Sequence, residues 1–521
     1  MRRNFSGLNS INGVGGHNNN YTKPLSKLIF LLILLISATY VLYTIKVLTS
    51  SRNCDNDDDD VFSLHHSEVQ SLDVEKLKNQ RVGSYFGRNG SVLIQEKEGS
   101  LGYGTGLEHI VFGIAASASL WEKRKNYIKI WWRPELEMRG VVWLDNRVES
   151  LESEKMMLPE VRISGDTSKF AYKNRKGRRA AIRISRVVSE TLRLGMENVR
   201  WFVMGDDDTV FVTDNLVRVL NKYDHNQFYY IGSSSESHLQ NLRFSYGMAY
   251  GGGGFAISYP LAKALEKIQD QCIQNYPELY GSDDRMHACM SELGVPLTKE
   301  VGFHQYDVYG SIFGLLAAHP IAPLVSLHHL DVIEPIFPKM TRVEALQQLA
   351  IPMKLDSAGL IQQSICYDRE NKLTVSVSWG FAVQLFRGIL SPREIEMPSR
   401  TFFNWDRKSD YRGYSFNTRP VMRNPCQKPF IFYLTRSGIV VSSNQTLSQY
   451  KIHHDSHPDC EWEMADPAKI DMVEVYKKLD PHLWDKSPRR NCCRILNSAN
   501  KKMVIDVHVC SEGEMSYIGN R

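Results

Sequence analysis

The chain has nine cysteines but no Cys-x-x-Cys pair, which excludes the usual zinc and thioredoxin-type spacings and leaves disulfides as the default in an oxidising compartment. Net charge is scarce as well. Sixty-three basic and 58 acidic residues leave +5 over 521 positions, too little to suggest a nucleic-acid partner or an acidic scaffold. With 42% hydrophobic and 23% charged residues the chain is not a disordered one, and its length suits two or more domains.

Acidic residues are missing from the first 27 positions, where Arg2, Arg3, Lys23 and Lys27 stand among Asn, Gly and Ser. Charge of either sign is missing from Leu28 to Ile45. At 1.5 Å per helical residue that run reaches about 27 Å, a short membrane span. A cleaved signal wants an apolar stretch of about 7 to 15 residues and a small-residue cleavage site, so an uncleaved transmembrane anchor over residues 28–48 is expected. The basic flank before it and the run Asp55, Asp57, Asp58, Asp59 and Asp60 after it orient residues 1–27 to the cytosol and the rest to the lumen. The short span suits early secretory membranes, and Golgi residence is the expectation. Residues 49–105 read as a stem. Cys54 within it is the odd cysteine, either free or joining two chains as a homo-oligomer. Sequons at Asn89 and Asn444 face the glycosylation machinery, whereas those at Asn4 and Asn20 do not.

Ile110–Ala115 reads as a buried strand ending in the small residues Ala116, Ser117, Ala118 and Ser119, with a helix from Leu120: an opening βα unit. Ile128–Trp132 and Gly140–Asp145 are further strand candidates. A basic run from Lys169 to Arg186 leads into a helix with apolar positions Ile184, Val187, Val188 and Leu192, and reads either as a solvated face or as help for a pyrophosphate.

Trp201-Phe202-Val203-Met204-Gly205-Asp206-Asp207-Asp208-Thr209 organises the chain. Four apolar residues run through a glycine into three carboxylates. Adjacent like charges raise one another's pKa, so a hard cation with oxygen ligands is the simplest partner, and strand ends are where open α/β sheets bind ligands. The competing reading is that the aspartates cap a helix. Gly251-Gly252-Gly253-Gly254, set between Tyr250 and Phe255, permits close backbone approach to a ligand. Asp283 and Asp284 stand at an expected helix start, where capping and catalysis are both open. Cys272 and Cys289, on successive expected helices, should form a disulfide.

Together these motifs resemble the Fringe-related branch of the GT-A glycosyltransferases, in particular the plant Fringe-like group long labelled a domain of unknown function. The resemblance covers residues 106–340 and implies an α/β, Rossmann-like GT-A domain for nucleotide-diphospho-sugars, binding a UDP-sugar through Mn2+ and transferring the sugar with inversion to a glycan or glycoconjugate, β-1,3-type linkage included. It implies Asp208, Asp206 and His304 around the metal, with His319 as the alternative to His304. Asp206 or Asp207 would reach the metal through water or hold the donor ribose. It assigns Asp284 as the base with Asp283 as its neighbour, and makes Ala116, Ser117, Asp145, Gly252 and Gly253 plausible donor contacts. Residues 341–521 read as a smaller β-rich unit carrying six cysteines, in which His453, His454, His457 and Cys460 form a solvated loop rather than a zinc site. Two other functions compete: a non-catalytic luminal glycan-binding or assembly protein on the same fold, and a hydrolase using the same carboxylates.

Overall fold

Strands β1 (Ile110–Ala115), β2 (Arg139–Leu144) and β4 (Trp201–Asp206) are apolar along most of their length because helices cover both faces of the sheet they build. The computed structural model describes residues 31–40, 42, 104–149, 154, 156–453, 460–461, 466–499 and 501–515. Residues 31–40 are helical. Among the described residues no helix is long and apolar enough to cross a membrane, and the expected span Leu28 to Ile45 lies partly outside them. Cys54, Asn89, His454 and His457 also lie outside the described residues.

With β3 (Glu160–Ile163), β6 (Tyr230–Gly232), β7 (Phe255–Ser258) and β8 (Leu297–Lys299), these strands form a seven-stranded mixed sheet in the order β3-β2-β1-β4-β7-β6-β8. The first four are parallel, and β7 runs antiparallel to β4 and β6. Because the chain passes from β1 to β2 on one side and returns to β4 on the other, the order reverses between β1 and β4. Their carboxyl ends therefore open a crevice at a topological switch point. Two-residue strands β5 (Val210–Phe211) and β10 (Ser326–Leu327) pair beside it.

The run Ile128–Trp132 is not a strand. It is the last turn of a helix, Trp121–Trp131, whose buried positions Trp121, Lys125, Ile128 and Trp131 recur at helical spacing. Trp131 packs 5.1 Å from both Phe112 and Phe211, centroid to centroid, so tertiary packing overrides the aromatic and β-branched preference for strand.

Beyond the helix Arg342–Leu355, eight strands form a second sheet, in the order β11 (Gln363–Asp368), β12 (Leu373–Ser378), β13 (Ala382–Arg387), β15 (Phe430–Val440), β16 (Gln445–Ile452), β17 (Met472–Lys478), β19 (Lys502–His508) and β18 (Cys492–Ala499). The disulfide Cys366–Cys493 joins the two strands at its opposite edges. Cys426–Cys460 and Cys492–Cys510 complete the pairing of the last six cysteines, and Cys272–Cys289 forms as expected. One apolar core runs from Ile110 and Phe112 through Leu346 to Val475 and Val507, so the two sheets share an interior. Buried Lys477 and Asp356 form an ion pair within it. A separate ribbon, β9 (Val308–Gly310) with β14 (Phe402–Asn404), brings the later chain back against the first sheet.

Candidate active site

The three aspartates follow β4 directly into the crevice. Asp206 pairs in register with Ala115 of β1, and the Asp207 N–H donates to the Ala115 carbonyl at 3.0 Å. Thr209 closes the turn: its hydroxyl accepts from the Asp206 N–H at 2.8 Å and donates to the Gly252 carbonyl at 2.7 Å. None of the three caps a helix, since the next one begins only at Thr213 and its N-cap is Val212.

Asp206, Asp208 and His328 place ligand atoms within 4.8 Å of one another. The His328 Nε2 lies 3.3 Å from Asp208 Oδ1 and 3.7 Å from Asp206 Oδ2. Its Nδ1 is 3.3 Å from the Gln305 carbonyl, an acceptor only, so Nδ1 carries the hydrogen and Nε2 faces the carboxylates. That is the tautomer a metal-binding histidine adopts. Without a cation the ring must hold a second proton there. Burial alone would lower its pKa, but Asp208 and Asp206 raise it to about 9.

The surrounding carboxylates show the same need for positive charge. Burial first, then neighbouring Asp208, Asp283 and Asp207, push Asp206 up to about 7 against the pull of His328, although its side chain remains 35% exposed. Burial pushes Asp207 up to about 6 against Arg124. Asp208 goes the other way: burial opposes its ionisation, but His328 and Arg124 outweigh it and hold the carboxyl well below the usual range. Asp208 Oδ1 is buried and accepts no hydrogen bond of good geometry. A buried carboxylate oxygen held by ion pairs alone, beside a second carboxylate and an imidazole nitrogen, is a donor set that fits a divalent cation.

His304 is not in this group. Its Nδ1 lies 3.0 Å from Glu236 Oε1 and its Nε2 lies 2.9 Å from His319 Nε2. His319 Nδ1 is 2.7 Å from the Pro320 carbonyl and must carry a hydrogen, so His319 Nε2 accepts from His304. Both nitrogens of His304 are engaged, which corrects the expectation of a metal ligand there and leaves His319 no better placed. Gly252 makes room for His328, since a Cβ there would stand 2.1 Å from its ring.

The other expected contacts fall as follows. Gly253 is buried, donating to Gln305 Oε1 at 2.7 Å and accepting from Ser326, so the loop glycines admit protein groups rather than presenting open amides. Gly251 faces Asp283, whose Oδ1 would lie 2.7 Å from an added Cβ. Asp283 and Asp206 line one cleft with Gly205, Gly251 and Ser282. Burial pushes Asp283 up to about 6, while Ser282 and the Gly251 N–H work against it. Asp284, the expected base, instead accepts from the backbone N–H groups of Tyr280 at 2.7 Å and Gly281 at 2.9 Å, a capping arrangement that turns it away from that role. The exposed Asp145 accepts from Ala118 N–H at 2.8 Å, with Ser117 Oγ 3.4 Å away. Ala116 has its N–H on the Trp143 carbonyl and its own carbonyl on Arg183. Arg183, like Arg186 with Asp270, spends the basic run on internal contacts.

Arg124, which the sequence did not single out, bridges Asp207 at 2.7 Å, Asp208 at 3.3 Å and Asp331 at 3.0 Å.

A Fringe-like family model matches residues 105–309, and a second, described as a protein of unknown function, DUF604, matches residues 240–493. Together these matches support a Fringe-related glycosyltransferase family. The aspartates, the glycine loop and Asp283 all lie within the Fringe-like match, whereas His328 falls in the second alone. A mouse (Mus musculus) beta-1,3-glucosyltransferase is 29% identical over 119 residues, which is 23% of this chain and 23% of that protein, so the match spans less than a quarter of the relative. Two crystal structures of LgtC are also similar, each at 13% identity and covering 94% of that chain. An active-site mutant covers 46% of this chain at a TM-score of 0.29, and a galactosyltransferase complex with donor and acceptor sugar analogs covers 47% at 0.28.

Proposed function

We propose that this protein is a divalent-metal-dependent glycosyltransferase of GT-A type that moves a sugar from a UDP-sugar to a hydroxyl of a glycan or glycoconjugate, with inversion. The observation that carries the reading is the group Asp206, Asp208 and His328 at the switch point, with Asp283 across Gly251 in the same cleft. Asp206, Asp208 and His328 would hold the cation, Mn2+ in this reading, and a bound cation neutralises charge on the departing diphosphate. Arg124 holds the carboxylates in place from the helix side. Asp283 is free of the metal group and, at about 6, ionised near neutral pH yet basic enough to take the acceptor proton. Ser117 and Asp145 would contact the nucleotide. The mouse relative's name favours a β-1,3 linkage. The apolar run at 28–45 and its charged flanks favour a type II Golgi membrane protein, with glycosylation at Asn89 and Asn444.

The test is a panel of UDP-sugars with Mn2+ and the purified protein, read as donor hydrolysis or transfer. Turnover that Asp208→Asn loses together with UDP binding, and that Asp283→Asn loses while keeping UDP binding, is the expected result. Metal-dependent UDP binding without turnover in the parent would move the protein to the non-catalytic alternative. Protease treatment of sealed microsomes tests the topology, and digestion of residues beyond 50 would overturn it.

A further inference from the structure

The stretch from Phe402 to Ser415 belongs to the later part of the chain, yet it is fastened beside the cleft at two points. β14 pairs with β9, setting Phe403 opposite Tyr309. Ser415 donates its N–H to the Glu236 carbonyl at 2.9 Å, and its hydroxyl accepts from Asn241 at 2.9 Å. Glu236 is the residue that holds His304. Beside these two fastenings lies a row of aromatic rings of which only His328, at its start, has a role above.

The row starts at the metal group. His328 has His329 as its neighbour in the chain, with ring centroids 4.2 Å apart. Trp405 lies parallel to His329 at 4.8 Å and parallel to Tyr309 at the same distance. Arg407 stands 5.3 Å over the Tyr309 ring. At the outer end Phe403 is 69% exposed, and Tyr411, a few residues on, is 60% exposed. The rings thus lead from His328 to solvent, and several combine an apolar body with a polar edge. Pyranose rings ask for that combination, because they carry C–H faces that pack on aromatic surface and hydroxyls that need donors and acceptors. A hydrophobic protein partner would gain little from histidine and arginine within the row, and Asp307 beside His329, at 3.3 Å from its Nδ1, disfavours an anionic one.

We propose that this row is the acceptor subsite: a neutral oligosaccharide packs on the exposed Phe403 ring and runs along the edges of the stacked Trp405 and Tyr309, with its reacting hydroxyl toward Asp283. The later part of the chain then supplies acceptor recognition, while the first sheet supplies donor and metal. The inference rests on the glycosyltransferase reading. Its test therefore separates the two, using the whole protein with Phe403→Ala, an exposed position that leaves the fold intact, and Trp405→Phe. Binding of UDP with Mn2+ is measured by calorimetry. Binding of β-linked tetrasaccharides of glucose, galactose and N-acetylglucosamine is followed separately by tryptophan fluorescence. The parent should bind at least one tetrasaccharide, and each variant should bind it at least tenfold more weakly while UDP binding stays at the parent value. Variants with parental tetrasaccharide affinity, or a parent that binds UDP but none of the three sugars, would overturn the subsite and leave the proposed function standing. A parent that binds a tetrasaccharide at this row but no UDP would sink the proposed function instead.

Discussion

Replacing Gly252 by alanine isolates the part that His328 plays. A Cβ at position 252 would stand 2.1 Å from Cε1, 2.4 Å from Nε2 and 2.5 Å from Nδ1 of the imidazole, whereas ordinary contact begins at 3.4 Å. The ring must retreat by more than about 1 Å in a close-packed interior, and the His329 ring, 4.2 Å away, limits where it can go. Metal–ligand distances tolerate only about 0.2 Å, so His328 leaves the donor set. Loss of a hydrogen-bond partner behind a metal ligand typically costs about 10- to 100-fold in affinity. Displacing the ligand itself should weaken Mn2+ binding by at least tenfold, or about 1.4 kcal/mol. Titration calorimetry on the parent, Gly252→Ala, His328→Gln and His304→Gln is the assay. The first two variants should fall together. His304→Gln should keep parental Mn2+ affinity but lose about 1–3 kcal/mol of stability, because it disturbs buried Glu236 and His319. The reasoning fails if His304→Gln weakens Mn2+ binding as much as His328→Gln, or if Gly252→Ala binds the ion like the parent.

Four further outcomes are expected. Asp283→Asn should lower transfer by about 10²- to 10⁴-fold, whereas Asp284→Asn should cost about 1 kcal/mol of stability as a weakened cap; equal loss of turnover in both would contradict the division. Because a base works in its ionised form, kcat should fall as pH drops through about 6, the value to which burial raises Asp283, and an unchanged profile in a residually active Asp283→Asn enzyme would assign that limb to another group. Cys272→Ser with Cys289→Ser opens a closure of 17 residues and should lower stability by about 3 kcal/mol, read by chemical denaturation. Asp356→Asn leaves the buried Lys477 ammonium without its counter-charge and should cost about 3–5 kcal/mol, seen as a lowered Tm, with an unaltered Tm counting against the pair.

The strand and turn Trp201–Thr209 could be read from the chain because a local signal carries it: apolar residues, one glycine, then charge with no neutralising neighbour in sequence. The pairing of Cys272 with Cys289 was legible for the same reason, both lying on adjacent helices. His328 was not. It reaches the aspartates through β10, a strand of two residues that pairs with β5 just after the carboxylates, and so short a pairing leaves no periodicity. The available signal was the string Ser326-Leu327-His328-His329-Leu330-Asp331, another short apolar strand ending in ligand-type residues. Asp283 and Asp284 differ only in which way each carboxylate turns at the helix start, a matter of backbone geometry that adjacent identical residues conceal. Ile128–Trp132 misled because its strand-forming residues are spent on helix packing against Phe112 and Phe211.

Cys366 and Cys493 sit on strands at the two free margins of the second sheet, so a single covalent bond converts an open ribbon into a closed one. Exposed strand margins are templates for pairing with other chains, and here the bond ties the two margins to each other. A copy with these cysteines reduced would lose that tie, in a sheet that shares its interior with the crevice. Reduction would therefore cut the covalent tie between first and last strand, and with it the constraint that keeps the two ends of the sheet together.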